Sequence, residues 1–112
     1  MTAPVLSRPL VLEARSQVSD GAGGYTDAWT ALGTLWAEVA PRSGREARGT
    51  GLPVSRVLYR VTLRAARPGA PDRPRAGQRF RDGDRLFDIL AVAEADRHGR
   101  YLACTCSEET LA

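Results

Sequence analysis

Several groups of residues in this chain have types and spacings that invite chemistry. Gly21-Ala-Gly-Gly24 could cradle a phosphate with its backbone N–H groups. Asp82-Gly-Asp84 and Glu108-Glu109 could act as paired carboxylates or hold a cation. Cys104 and Cys106 could supply a thiolate or two zinc ligands, with His98 as base or third ligand. None of these completes its constellation. A phosphate loop needs a lysine followed by serine or threonine, and the chain has no lysine. His98, the only histidine, stands in an Asp96-Arg-His-Gly-Arg100 turn with no partner pattern around it. The glycines and Asp82-Gly-Asp84 therefore read as turns, and Glu108-Glu109 reads as a solvated tail. The cysteines, two residues apart, would point the same way on a strand, badly placed for an unstrained disulfide, and read as buried core thiols. Neither catalysis nor a cofactor nor a metal is expected.

Charge is the more informative signal. All 16 basic residues are arginine, and residues 42–85 hold 12 of them against 4 acids, a net of +8; residues 1–41 carry −2 and residues 86–112 carry −3. A basic centre between acidic ends suits either a nucleic-acid footprint or charge-complementary packing of copies, since the planar guanidinium pairs bidentately with carboxylates. Ordinary cross-strand pairing is the third reading.

The elements that must position these charges are strands. Val57, Tyr59, Val61 and Leu63 alternate with Leu58, Arg60, Thr62 and Arg64. This period of two predicts a half-buried strand with Arg60 and Arg64 facing solvent or a partner. Leu10 to Val18 reads as a strand that reverses over Ser19 to Gly24, and Tyr25 to Val39 as a long bent strand interrupted by Gly33 and closed by Pro41, with a helix the lesser reading. Asp82-Gly83 marks a hairpin between Arg79 and Phe87. Leu90 to Glu94 then pairs with Tyr101 to Ser107 over the Asp96 to Gly99 turn. Phe80, Phe87, Tyr59 and Tyr101 have core-facing roles available. Residues 42–56 read as a long loop with room for one helical turn near Glu46, and the proline-rich Ala65 to Ala76 as an extended surface run.

The fold class expected is all-β and mainly antiparallel: one domain over residues 1–112, a small barrel or sandwich of about six strands with the 42–56 loop extending from it. A hydrophobic share of 43% argues against disorder. No apolar run of about eighteen residues predicts a membrane span, and the N-terminus lacks the pattern of a secretory signal, so a cytoplasmic setting is expected.

Laid out in order, Asp20-Gly-Ala-Gly-Gly24, Trp29, Trp36-Ala-Glu-Val39, Pro41, Ser43-Gly-Arg-Glu46, Tyr59-Arg-Val-Thr-Leu-Arg64, Phe87-Asp-Ile-Leu90 and Glu108 resemble the head-tail joining (connector or stopper) proteins of long-tailed bacteriophages and phage-like gene transfer agents. The pattern spans nearly the whole chain. In that family the segment after Ser43-Gly-Arg-Glu46 often looks helical, whereas here Gly49, Gly51 and Pro53 interrupt it.

The resemblance implies a structural subunit of the neck of a phage-like particle, assembled in the bacterial cytoplasm. It implies a homo-oligomeric ring, six- or twelve-fold, with the portal and adaptor on one side, the tail terminator and tail tube on the other, and double-stranded DNA passing through without sequence specificity. Arg42, Arg45, Glu46, Arg48, Arg60 and Arg64 are the candidate contacts with neighbouring subunits or partners. A tail terminator or minor tail subunit is the near alternative. A barrel that binds single-stranded nucleic acid through a basic groove and stacked aromatics is the distant one.

Overall fold

The computed structural model describes residues 3–43 and 54–111. They form six strands, β1 (Arg8–Ser19), β2 (Tyr25–Ser43), β3 (Val54–Arg64), β4 (Arg79–Asp82), β5 (Arg85–Glu94) and β6 (Tyr101–Leu111), all paired antiparallel. The order β1-β2-β3-β6-β5-β4 closes on itself through the short β1–β4 pairing of Val11–Glu13 with Arg79–Arg81. The expected all-β barrel of about six strands is therefore what the chain forms. The β1–β4 pairing joins the two strands that would otherwise be the edges of an open six-stranded sheet.

Alternation sets the inside. Leu10, Leu12, Ala37, Val61, Leu63, Phe80, Phe87, Ile89, Leu102, Cys104 and Cys106 are buried and pack as one cluster. Each comes from the inward parity of its strand. The two cysteines are free and inward, as expected. Burial pushes the Cys104 thiol up to about 12, and Cys106 higher for the same reason.

Three register shifts re-phase the pattern, one of them at Arg42, which is skipped between Pro41 and Ser43 on β2. Opposite the Leu12–Glu13 step of β1, β2 carries an extra residue, Leu32, beside Gly33, whose φ of +153° favours glycine. On β5 Leu90 is the extra residue, and past it Val92 takes over from Ala91 as the inward side chain. The bend expected at Gly33 is thus a bulge that lets β2 run as one strand through two environments. Between Ala37 and Ser43 it pairs on β3 within the barrel wall; between Tyr25 and Thr30 it pairs only with β1. The β1–β2 hairpin accordingly extends about 20 Å past the wall as a two-stranded arm. The dimensions of 51 × 35 × 22 Å and a radius of gyration of 15.5 Å, against about 13 Å for a compact chain of this size, reflect that arm.

Four sequence expectations change. The 42–56 loop is shorter, because Arg42 lies on β2 and Arg56 on β3, where strand pairing claims their backbone groups; residues 44–53, with the helical turn expected near Glu46, lie outside the described residues. Residues 65–76 are a chain of turns, not an extended run. Pro68 and Gly69 (φ +84°) occupy the centre of one, closed by Ala70 N–H donating to Arg67 O at 3.0 Å. Glu108 is not in a solvated tail: it continues the inward parity of Cys104 and Cys106 and is 8% exposed. Tyr101 faces outward under the Arg64 guanidinium, 5.8 Å from its ring centre, and is not a core residue; of the other aromatics, Phe80 and Phe87 are fully buried and Tyr59 half so.

Candidate assembly interface

The end of the barrel where β3, β5 and β1 begin is closed by ion pairs. Arg85, the first residue of β5, donates from Nε and Nη2 to both carboxylate oxygens of Glu108, at 2.8 and 2.9 Å. Its guanidinium lies 4.8 Å from the Phe87 ring centre and 5.7 Å from that of Tyr59. Tyr59 meets Phe87 edge-to-face at 5.2 Å. The Arg85 hydrogen bond holds the Glu108 carboxyl below its ordinary value, and Glu108 in turn raises Arg85. Arg8 and Asp82 add a second ion pair at this mouth, at 2.5 Å.

The root of the arm has its own cluster on the outer surface. Glu13 accepts from Arg79 Nε at 2.7 Å and from Arg81 Nε at 2.8 Å, and the Arg79 guanidinium stacks 3.9 Å above the Trp29 ring. Burial pushes the Glu13 carboxyl up, but the hydrogen bonds from Arg81 and Arg79 outweigh it and its net displacement is downward. At the tip Asp20 Oδ1 accepts from Ala22 and Gly24 N–H at 2.8 and 3.0 Å, which lowers its pKa and fixes the reversal.

Of the sequence-predicted contact residues, Arg42, Arg60 and Arg64 come together on the outer face of β2–β3–β6. Arg60 and Arg64 share the outward parity of β3, and both are exposed. Arg42 crosses β3 from the end of β2 and donates to Thr105 Oγ1 at 3.2 Å, Thr105 being the register partner of Arg60. Arg45, Glu46 and Arg48 lie outside the described residues. Sequence reasoning passed over Trp36 as a contact, although it stands on this face with 58% of its surface exposed. The signal was available: Leu35 and Ala37 point inward beside it.

A groove of about 500 Å³ borders the face, between residues 3–5 and the outer wall, lined by Glu38, Arg60, Thr62, Glu94, Asp96 and Tyr101. Glu38 accepts the Val5 N–H at 2.9 Å, while Asp96 accepts from Arg100 and Tyr101 N–H. These acids hold the N-terminal segment and the β5–β6 turn in place. Taken together, the geometry presents an arginine-rich, aromatic outer surface on a rigid barrel, with carboxylates tied into structural bonds. Such a surface suits contact with other macromolecules.

A family model for the phage head completion protein matches residues 1–109. The chain belongs to the phage head completion protein family. Among solved structures, a chain of the virion of a native gene transfer agent particle is 50% identical, with 98% of this chain and 100% of that one covered and a TM-score of 0.87. Protein SF1141 from Shigella flexneri 2a, known from a solution structure, is 22% identical over 96% of each chain with a TM-score of 0.66, a likeness of fold alone. A search of curated proteins finds no match. As a head completion protein the chain has a structural role in joining head to tail.

Proposed function

We propose that this head completion protein is a ring-forming subunit of the neck of a tailed phage-like particle. Copies sit side by side between the portal and adaptor of the head and the terminator and tube of the tail, and double-stranded DNA passes through the channel or is retained there. The observation that carries this reading is the full-length match at 50% identity to a chain of a gene transfer agent virion. The barrel supports it physically, being closed through the β1–β4 pairing and pinned at one mouth by Arg85–Glu108. Arg42, Arg60 and Arg64 face neighbouring chains or the adaptor. β2 ends and β3 begins at that same mouth, and Arg45, Glu46 and Arg48, in the sequence between them, are proposed as contacts with an adjacent subunit, the adaptor or the channel. A charge-ordered contact of this kind weakens with salt.

Deleting the coding sequence in a producing strain tests the reading. The expected result is DNA-filled heads and free tails that join when the protein is supplied in extract. Normal, fully joined particles in the deletion strain would refute it.

A further inference from the structure

In a closed ring of six strands ordered β1-β2-β3-β6-β5-β4, β2 and β5 stand three strands apart and so on opposite sides of the barrel. Each side carries large apolar side chains facing outward. On β2 it is Trp36, 58% exposed, with Pro9 opposite it in the register and Arg64 just across the β2–β3 pairing. On β5 the inward parity of Phe87 and Ile89 turns Leu86, Asp88 and Leu90 outward, and Leu86 is 39% and Leu90 52% exposed.

Charge separates the two sides in the same way. Among the described residues, Arg60 and Arg64 have no carboxylate within ion-pair distance, and Asp88 has no guanidinium within it: its cross-strand neighbour Arg79 is bound to Glu13. One side offers tryptophan with arginine, the other leucine with aspartate between. Glu38 shares the outward parity of Trp36 but is tied to the Val5 N–H at 2.9 Å, so packing either side against its own copy sets Arg60 and Arg64, or Asp88, against the same sign.

We infer that the Trp36–Arg64 side of one copy docks on the Leu86–Asp88–Leu90 side of a second copy, a head-to-tail contact that repeats around the ring. This rests on the ring reading above and adds which surfaces meet. A patch and its complement on opposite sides of one subunit generate rings when the rotation closes, whereas a self-complementary patch stops at a dimer.

Particles assembled with the double variant Trp36→Cys/Leu90→Cys and treated with a flexible bismaleimide test the contact; both changes are at exposed positions, and Cys104 and Cys106 are buried and spared. The inference expects a ladder of covalent multimers from the double variant and monomer from either single variant. Cross-linked dimer from a single variant overturns it in favour of a two-fold contact. Joined particles that hold the double variant and give no ladder overturn the assignment of faces while leaving the ring reading intact. A head–tail junction without this chain removes the ring reading itself and the docking with it. As an independent check, Arg64→Asp and Asp88→Arg should each weaken association about tenfold, and the pair together should recover most of it. No recovery in the pair counts against the contact.

Discussion

Arg85 and Glu108, 23 residues apart in sequence, meet at the mouth of the barrel in a two-pronged ion pair that joins the start of β5 to the end of β6. The Glu108 side chain is 10% exposed and that of Arg85 42%, so the pair sits between the surface and buried regimes. Removing either partner, as in Glu108→Gln or Arg85→Ala, should cost about 1–2 kcal/mol, below the figure for a fully buried pair because water screens Arg85. Urea unfolding of the two variants would measure it; midpoints unchanged from the parent protein would show that the pair contributes nothing.

The same pair sets a pH dependence. Glu108 and Glu13 both ionise more readily in the folded chain than the ordinary glutamate value of 4.5. Their pairing therefore stabilises the fold above that value and is lost as pH falls through the lower, folded one. Thermal melting followed from neutral pH downward should show a flat plateau and then a fall beginning near the glutamate range, and the fall should be shallower in Glu108→Gln. An identical acid limb in parent and variant would contradict the assignment.

Trp29 and Arg79 should hold the arm against the barrel. Trp29→Ala removes the ring under the Arg79 guanidinium and should cost about 1–2 kcal/mol of local stability. Amide exchange in Ala14–Ser19 and Tyr25–Thr30 should then quicken by about tenfold while β3 and β6 stay protected. Equal acceleration in the arm and in β3 would mean that Trp29 supports the whole fold instead.

The thiols should be inert in the folded chain. With Cys104 pushed up to about 12 and Cys106 displaced the same way, neither presents a thiolate, and both are fully buried. A thiol reagent at mildly alkaline pH should modify neither on the timescale of minutes and both after denaturation. Rapid modification of the native protein would place a cysteine at the surface.

Much of this architecture is written in alternation, and alternation has limits. Val57 to Arg64 announced its inward and outward faces because each side chain had one environment. The arm was not legible because a free ribbon and a barrel wall share the same period. Only the polar pairs Ser16-Gln17 and Thr26-Asp27, which put polar groups on both faces, hint that the hairpin has no core beneath it. Glu108 was hidden by its neighbour: an acidic doublet near a terminus reads as solvated, and the arginine that draws Glu108 inward belongs to another strand. Arg42, Arg60 and Arg64 were recognisable as surface charges. Their gathering on one face required the β2–β3–β6 register, which no local pattern encodes.

The most direct test of the neck assignment is electron cryo-microscopy of particles assembled with this protein. The account predicts a closed ring of barrels between the head portal and the tail, one copy of this fold per subunit. A head–tail junction in which no ring density accommodates the barrel and its arm would contradict it.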